Sequence, residues 1–307
     1  MKKVLILFDK TGRIGLSRKS RRQFADLYSF AEKKGVEFFR APIGAYDPQK
    51  RLFAKAEFHK KGNWQWGKNI VPDIIYDKSP LVVSKRLHAI RQKIERDFTF
   101  INSLKLSRLL SNKWMTHRKF PEFSPRTVLI NRKKDLVKIK KIKSNLVLLK
   151  PLFGSGGKGI KVYPKNKIKP IKYPFIAQEF ISAEKGIPGI VDGPHDLRVF
   201  LTKNGKPFYS YIRTPKEGKL IANYSQGGSL TPLPASKIPK KIFAITRYIS
   251  KKLSPYGKKL YSIDFIFDND QKPWILEMNS RPGITIDEEE LDYREYFYTR
   301  VINFFLK

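Results

Sequence analysis

Asp264 and Glu277, with Asn279 two residues further on, set two carboxylates and an amide oxygen inside the apolar runs Ser-Ile-Asp-Phe-Ile-Phe and Trp-Ile-Leu-Glu-Met-Asn. Alternation along an extended chain puts 277 and 279 on one face, and Asp264 can join them from a partner strand. Hard oxygen donors in that number suit Mg²⁺, which keeps part of its octahedron for water and phosphate oxygens. The alternative is a solvated strand face, although a carboxylate among core residues is costly unless it is paired or metal-bound.

A second group is the run Lys150-Pro-Leu-Phe-Gly154-Ser155-Gly156-Gly157-Lys158-Gly159. Its glycines let backbone N–H groups converge on one concavity, and its lysines add charge, which suits a polyphosphate. The same run can equally be a flexible hairpin tip, and it lacks the spacing of a Walker A loop. The third group is Asp196-Leu-Arg198-Val-Phe with Arg213. It offers either two guanidinium forks for phosphate or an Asp196–Arg198 surface pair of little worth. None of the four histidines, at 59, 88, 117 and 195, falls in these groups, and only His195, beside Asp196, adjoins one.

The elements that must carry these groups are readable from periodicity. Val4–Phe8, Val36–Phe39 and Asp73–Tyr76 read as strands, and Lys19–Lys34 as a helix with Phe24, Leu27, Tyr28 and Ala31 on one face. This alternation predicts an N-terminal α/β lobe. A helix over Phe98–His117 follows. Leu146–Lys150 and Ile160–Tyr163 flank the glycine run as a hairpin, and Arg126–Ile130 and Phe175–Ile181 are further strands. Asp196–Thr202 and Pro207–Arg213 are expected to join across a two-residue Asn204-Gly205 turn. Ile238–Leu253 reads as a helix, Tyr261–Phe267 and Pro273–Met278 as a hairpin, and Glu288–Phe305 as a closing helix.

Composition narrows the class of protein. The 307 residues hold 63 Lys and Arg against 27 Asp and Glu, a net charge of +36, which makes a polyanionic partner the first suspect, nucleic acid among them. Residues 1–150 carry 37 of the basic residues and 12 of the acidic ones. At 41% hydrophobic and 13% aromatic the chain is a folded protein rather than a basic tail. With no cysteine, disulfides, thiolate zinc sites and cysteine nucleophiles are excluded. The first apolar run stops at Asp9, short of a signal core or a membrane span, so the expected location is cytoplasmic, with no membrane partner.

The order of motifs resembles the ATP-grasp superfamily, in the branch of glutathione synthetases and RimK-like glutamate ligases, with closest wording to YheC/YheD-like spore-coat-associated proteins. Over about 200 residues, Ser111-Asn-Lys113-Trp114, Leu149-Lys150-Pro151 with GSGGKGI, Ala177-Gln178-Glu179-Phe180-Ile181, DLRVF, Asn223 ahead of Gly227-Gly228, Ile263-Asp264-Phe265 and Leu276-Glu277-Met-Asn279-Ser-Arg-Pro-Gly283 carry the resemblance. Pro72–Asp77 resembles the last strand of the domain that precedes the grasp.

The resemblance implies an N-terminal α/β domain over 1–100, then an ATP-grasp fold of two α+β lobes with the nucleotide between them. The small lobe would be 101–183 with the glycine-rich loop, and the large lobe 184–307 with the Mg²⁺ site. Lys113 and Lys150 would hold the α- and β-phosphates, and Gly154, Ser155, Gly156, Gly157 and Lys158 would close over the triphosphate. Gln178 and the backbone of Glu179, Phe180 and Ile181 would line the adenine cleft, and Glu184 would touch the ribose. Arg198 and Arg213 would steady the γ-phosphate and an acylphosphate, Asn223 would lie near the acceptor, and Asp264, Glu277 and Asn279 would hold Mg²⁺ or Mn²⁺.

The activity implied is that of an ADP-forming, ATP-dependent carboxylate–amine ligase making an amide or peptide bond. Its partners would be a carboxylate donor and an amine acceptor, an acidic peptide or protein suiting the basic surface. An ATP-grasp kinase, or a basic nucleic-acid-binding protein with a vestigial ATP site, are the competing readings. Glu277→Ala is expected to abolish ATP turnover while leaving the far-ultraviolet circular dichroism unchanged, and undiminished ADP release would remove Glu277 from the metal site.

Overall fold

Val4, Leu5, Ile6 and Leu7 are each fully buried, the continuous apolar run of a strand covered on both faces. The computed structural model, which describes residues 1–8, 17–81, 83–154, 156–219 and 227–307, builds its first sheet around them. The chain divides into two compact units.

The first unit takes Met1–Ser107, Pro255–Leu260 and Arg281–Lys307. β1 (Lys2–Leu7) lies between β2 (Val36–Ala41) and β6 (Ile74–Asp77), parallel to both, and β7 (Thr99–Ile101) extends the parallel set. β3 (Tyr46–Asp47), β4 (Leu52–Lys60) and β5 (Asn63–Ile70) add an antiparallel flank to β2. The helices are α1 (Arg18–Glu32), α2 (Lys85–Asp97), the first half of α3 (Leu104–Ser111) and the C-terminal α6 (Arg294–Leu306). Ser17 caps α1 by accepting from the Ser20 N–H at 3.1 Å, and the expected face of Phe24, Leu27, Tyr28 and Ala31 is the one buried.

The second unit spans Arg108–Ser254 and Tyr261–Ser280. It opens with α4 (Lys113–Lys119) and contains two sheets and α5 (Lys240–Lys252). The four-stranded sheet has the order β10 (Lys161–Pro164), β9 (Leu146–Pro151), β11 (Phe175–Glu179), β8 (Thr127–Ile130). The five-stranded sheet runs β14 (Ser229–Pro232), β13 (Tyr209–Thr214), β12 (Asp196–Leu201), β15 (Tyr261–Phe267), β16 (Pro273–Asn279). No described helix is long and apolar enough to cross a membrane.

Four features differ from the expectation. The helix over 98–117 is broken into β7, α3 and α4, because Asn112 is extended and its side chain accepts from the N–H groups of Trp114 and Met115, starting a new helix. The β4–β5 hairpin was not anticipated, although its Lys61-Gly62 tip has positive φ at both residues, the primed two-residue turn. Residues 281–307 cluster with the first unit rather than with the expected lobe 184–307, since α6 packs on α1 and β2.

The fourth is Asn204-Gly205, which forms no two-residue turn. β12 and β13 pair only as far as Phe200 and Tyr209, and the connection between them packs on α5. Gly205 has φ +68°, and a Cβ there would lie 2.6 Å from the Thr246 carbonyl oxygen. Gly205→Ala combines backbone strain with this clash and is expected to cost about 2–3 kcal/mol in urea unfolding. An unchanged midpoint would show that the approach to α5 does not require glycine.

Candidate functional site

The β15–β16 register places Asp264 opposite Glu277 and Ser262 opposite Asn279, so these four residues share a face of the sheet. On the other side of β15, Arg198 of β12 is the partner of Asp264, and Arg213 of β13 is the partner of Asp196. The carboxylate of Asp264 accepts from Arg198 Nε and Nη2, both at 2.6 Å, and from Arg213 Nη2 at 2.8 Å. Arg213 Nε donates to Asp196 Oδ1 at 2.7 Å. The Asp196–Arg198 surface pair is therefore not formed: both acids are buried, and each arginine goes to a carboxylate on a neighbouring strand.

Burial would raise both acids, but they part company. Around Asp264 the two guanidiniums outweigh burial and hold it down at about 2, whereas Asp196, with one arginine, is pushed up to about 6. The pairing energy of Asp264 is thus present above the ordinary carboxylate range and is lost as pH falls through about 2.

The four-stranded sheet supplies the opposite wall. Lys150 on β9 is buried, and its Nζ donates to Gln178 Oε1 on β11 at 2.6 Å, while Gln178 Nε2 donates to Thr127 Oγ1 on β8 at 2.9 Å. Burial, reinforced by the neighbouring Lys113, lowers Lys150 to about 8. Lys113, the first residue of α4, donates to the Gly154 carbonyl at 2.7 Å and lies 3.9 Å from Glu277 Oε1. Burial pushes the Glu277 carboxyl up, against the attraction of Lys113.

One cavity gathers Lys150, Gly156, Gly157, Glu179, Phe180, Ile181, Arg198, Arg213, Asp264 and Glu277. Leu148, Ile160, Ile266 and Leu276 give it apolar walls. The N–H groups of Glu179 and Phe180 already donate to the carbonyls of Arg126 and Leu146, so of the three expected adenine-reading amides they are committed to the sheet edge. Glu179 Oε1 accepts from the Ser144 N–H.

Other anticipated residues stand apart from this cavity. Gln178 holds Lys150 rather than lining it, and Gly154 meets Lys113 through its carbonyl. Lys158 and Glu184 are exposed and outside the lining, as is the half-buried Asn279. Ser155 and Asn223 lie outside the described residues. His195 lines the cavity with its ring turned to backbone: Nδ1 sits 2.9 Å from the Gly193 carbonyl, and Nε2 accepts from the Phe267 N–H at 3.3 Å. Burial lowers it, in keeping with a neutral, structural imidazole.

Sequence reasoning missed Thr127 and the role of Asp196 as partner of Arg213. It also passed over the apolar walls, although Leu148, two residues before Lys150, is readable by alternation.

The residues fit a divalent cation in part. Glu277 is a half-buried carboxylate with one distant cation, while Asp264 has given three of about four lone-pair directions to arginine. Among the described residues no three His, Cys, Asp or Glu side chains cluster at metal distance, which leaves a site of two acids and an amide needing outside oxygens.

The family model described as "Prokaryotic glutathione synthetase, ATP-grasp domain" matches residues 112–280. The endospore coat-associated protein YheC of Bacillus subtilis (strain 168) is 24% identical over 89% of this chain and 88% of its own length. The glutathione synthetase of Vibrio vulnificus (strain CMCP6) is 30% identical over 48% of this chain and 46% of that protein, so the match spans about half of the relative. Among solved structures, ATP-grasp ligase PsnB complexed with a precursor variant, Mg and ADP superposes with a TM-score of 0.62 at 11% identity, covering 99% of this chain and 97% of that one, and so shares its fold.

A bound polyphosphate favours the ammonium form of Lys150, so ADP affinity is expected to stay level below about pH 8 and to fall above it by up to about one decade per unit. Lys150→Arg should flatten that limb in titration calorimetry, because guanidinium does not titrate there. Unliganded stability should move the other way. The unfolded lysine holds its proton up to 10.5, so stability rises between about 8 and 10.5 as burial of the charge ceases to matter.

Proposed function

Because the chain belongs to the prokaryotic glutathione synthetase ATP-grasp family, with the ATP-grasp fold in its second unit, we propose that it is an ATP-dependent carboxylate–amine ligase that forms an amide through an acylphosphate and releases ADP and phosphate. The observation that carries this reading is the cavity in which Arg198 and Arg213, fixed by Asp264, face Lys150 and the glycine-rich loop.

A carboxylate resists amine attack because it is negatively charged and has no good leaving group. Phosphorylation by ATP gives it one. The protein's task is to orient the reactants and to offset charge on the transferring phosphoryl group. Two planar guanidiniums held before the substrate arrives do this without reorganisation, and Lys150, kept short of water, holds its charge against the phosphates. Leu148, Ile160, Ile266 and Leu276 suit an adenine ring, and the backbone at Glu179–Ile181 its polar edge. Glu277, the remaining direction of Asp264, and Asn279 would hold Mg²⁺. When bound, that ion neutralises β- and γ-phosphate oxygens.

An acidic peptide or protein is the partner that the basic surface favours. Residues 126–172 hold fifteen Lys and Arg and one acid, Asp135, and between them Leu136, Val137, Ile139 and Ile168 line a groove edged by Lys140 and Lys165. Nucleic acid is the secondary candidate for the same charge.

The test is ATP consumption with pools of amino acids and acidic peptides, read by mass for a product lighter than its components by one water. Expected is ADP formation matched by condensed product, with Arg198→Ala and Arg213→Ala each lowering turnover on the order of a hundredfold or more. ADP matched by a phosphorylated hydroxyl would replace ligation with kinase chemistry.

A further inference from the structure

Arg40, the next-to-last residue of β2, is fully buried, yet only part of its guanidinium is satisfied. Its Nε donates to Glu57 Oε2 at 2.8 Å, while Nη1 and Nη2 have no hydrogen-bond partner among the described residues. Arg21 of α1 donates to the other oxygen of the same carboxylate, Oε1, at 2.8 Å. Both guanidiniums lie against Trp64, at 4.8 Å for Arg21 and 4.6 Å for Arg40, and Phe8 lies 5.2 Å from Arg40. Aromatic faces interact with a guanidinium through its plane and leave its in-plane N–H groups unpaired. Tyr28, whose ring is 5.4 Å from Trp64, adds a buried hydroxyl that also lacks a partner.

The charge does not balance either. Two arginines share one glutamate, and the start of α1 carries Arg18, Lys19, Arg21 and Arg22 with no acid of its own in the first turn, where Lys19 pairs with Asp287 at 2.8 Å, although a helix N-terminus already bears positive partial charge. A buried guanidinium with unmade hydrogen bonds is costly, and a cationic first turn adds to the cost. The C-terminal edge of parallel strands, where Arg40 and Phe8 lie, is also where open α/β sheets take ligands.

We propose that Arg40, with Arg21, Tyr28 and Trp64 around it, forms a binding site for a carboxylate ligand whose two oxygens meet Nη1 and Nη2. The planar fork matches two coplanar oxygens, a positive charge left over among the described residues matches a monoanion, and the aromatic wall matches an apolar body. The site lies within the first unit and does not rest on the ligase reading.

The test follows the indole N–H signals of the four tryptophans in ¹⁵N-labelled protein without nucleotide, with Trp64 assigned by Trp64→Phe. Sodium benzoate and sodium acetate are titrated at constant ionic strength, with benzamide and inorganic phosphate as comparisons. Expected is a saturable shift of the Trp64 signal with both carboxylates, tighter for benzoate, and none with benzamide. Arg40→Lys should keep the other three signals in place and weaken benzoate on the order of tenfold or more. Should that variant not fold, Arg40→Met combined with Glu57→Gln removes the buried pair together and should lose the response. No saturable shift with either carboxylate, an equal response to phosphate, or undiminished binding in a folded variant would overturn the proposal.

Discussion

The carboxylate of Asp264 is the constraint on which the second unit's site depends. It sits on β15, between the strand that carries Arg198 and the strand that carries Glu277, and it accepts three N–H groups from two guanidiniums. Remove that charge and two half-buried arginines lose a shared partner, with Asp196 left to serve Arg213 alone. Keep it and both forks stay aimed into one cavity, their orientation fixed by bonds within the sheet. One side chain thereby couples the strands that carry the two arginines to the strand that carries Glu277.

The opposite wall works by the same physics with neutral groups. Thr127 accepts from Gln178, and Gln178 accepts from Lys150, a chain of buried polar atoms across β8, β11 and β9 that fixes an ammonium away from water. Lys113 is tied to the root of the glycine loop through the Gly154 carbonyl. Here the desolvation that makes Lys150 easy to deprotonate also makes it a strong partner for an incoming anion.

Local imbalance says more about ligands than the total of +36. By count, the second unit holds 33 basic and 11 acidic residues and the first 30 and 16, so the surplus that leans to residues 1–150 in the sequence leans to the second unit in space. Much of it lies on surfaces where water screens it. At Arg198 and Arg213 the guanidiniums have carboxylates on neighbouring strands, whereas Arg40 and Arg21 share one, and the difference between those two balances is chemically specific in a way that a lysine-rich surface is not.

Much of both units was legible in the amino-acid order. Continuous apolar runs marked β1 and β15, alternation marked β12, the 3.6-residue period marked the buried face of α1, and the succession of motifs pointed to several of the residues that meet in the cavity. Propensity and spacing act within a few residues, which is why they reach that far. They did not reveal that Asp264 would be spent on two arginines, that Gln178 would serve Lys150, or that Gly205 would lie against the Thr246 carbonyl. Nor did they reveal that 281–307 would join the first unit. Each of these depends on strand order and register between segments tens of residues apart. Identical local patterns are compatible with many such pairings, and only the packed chain selects one.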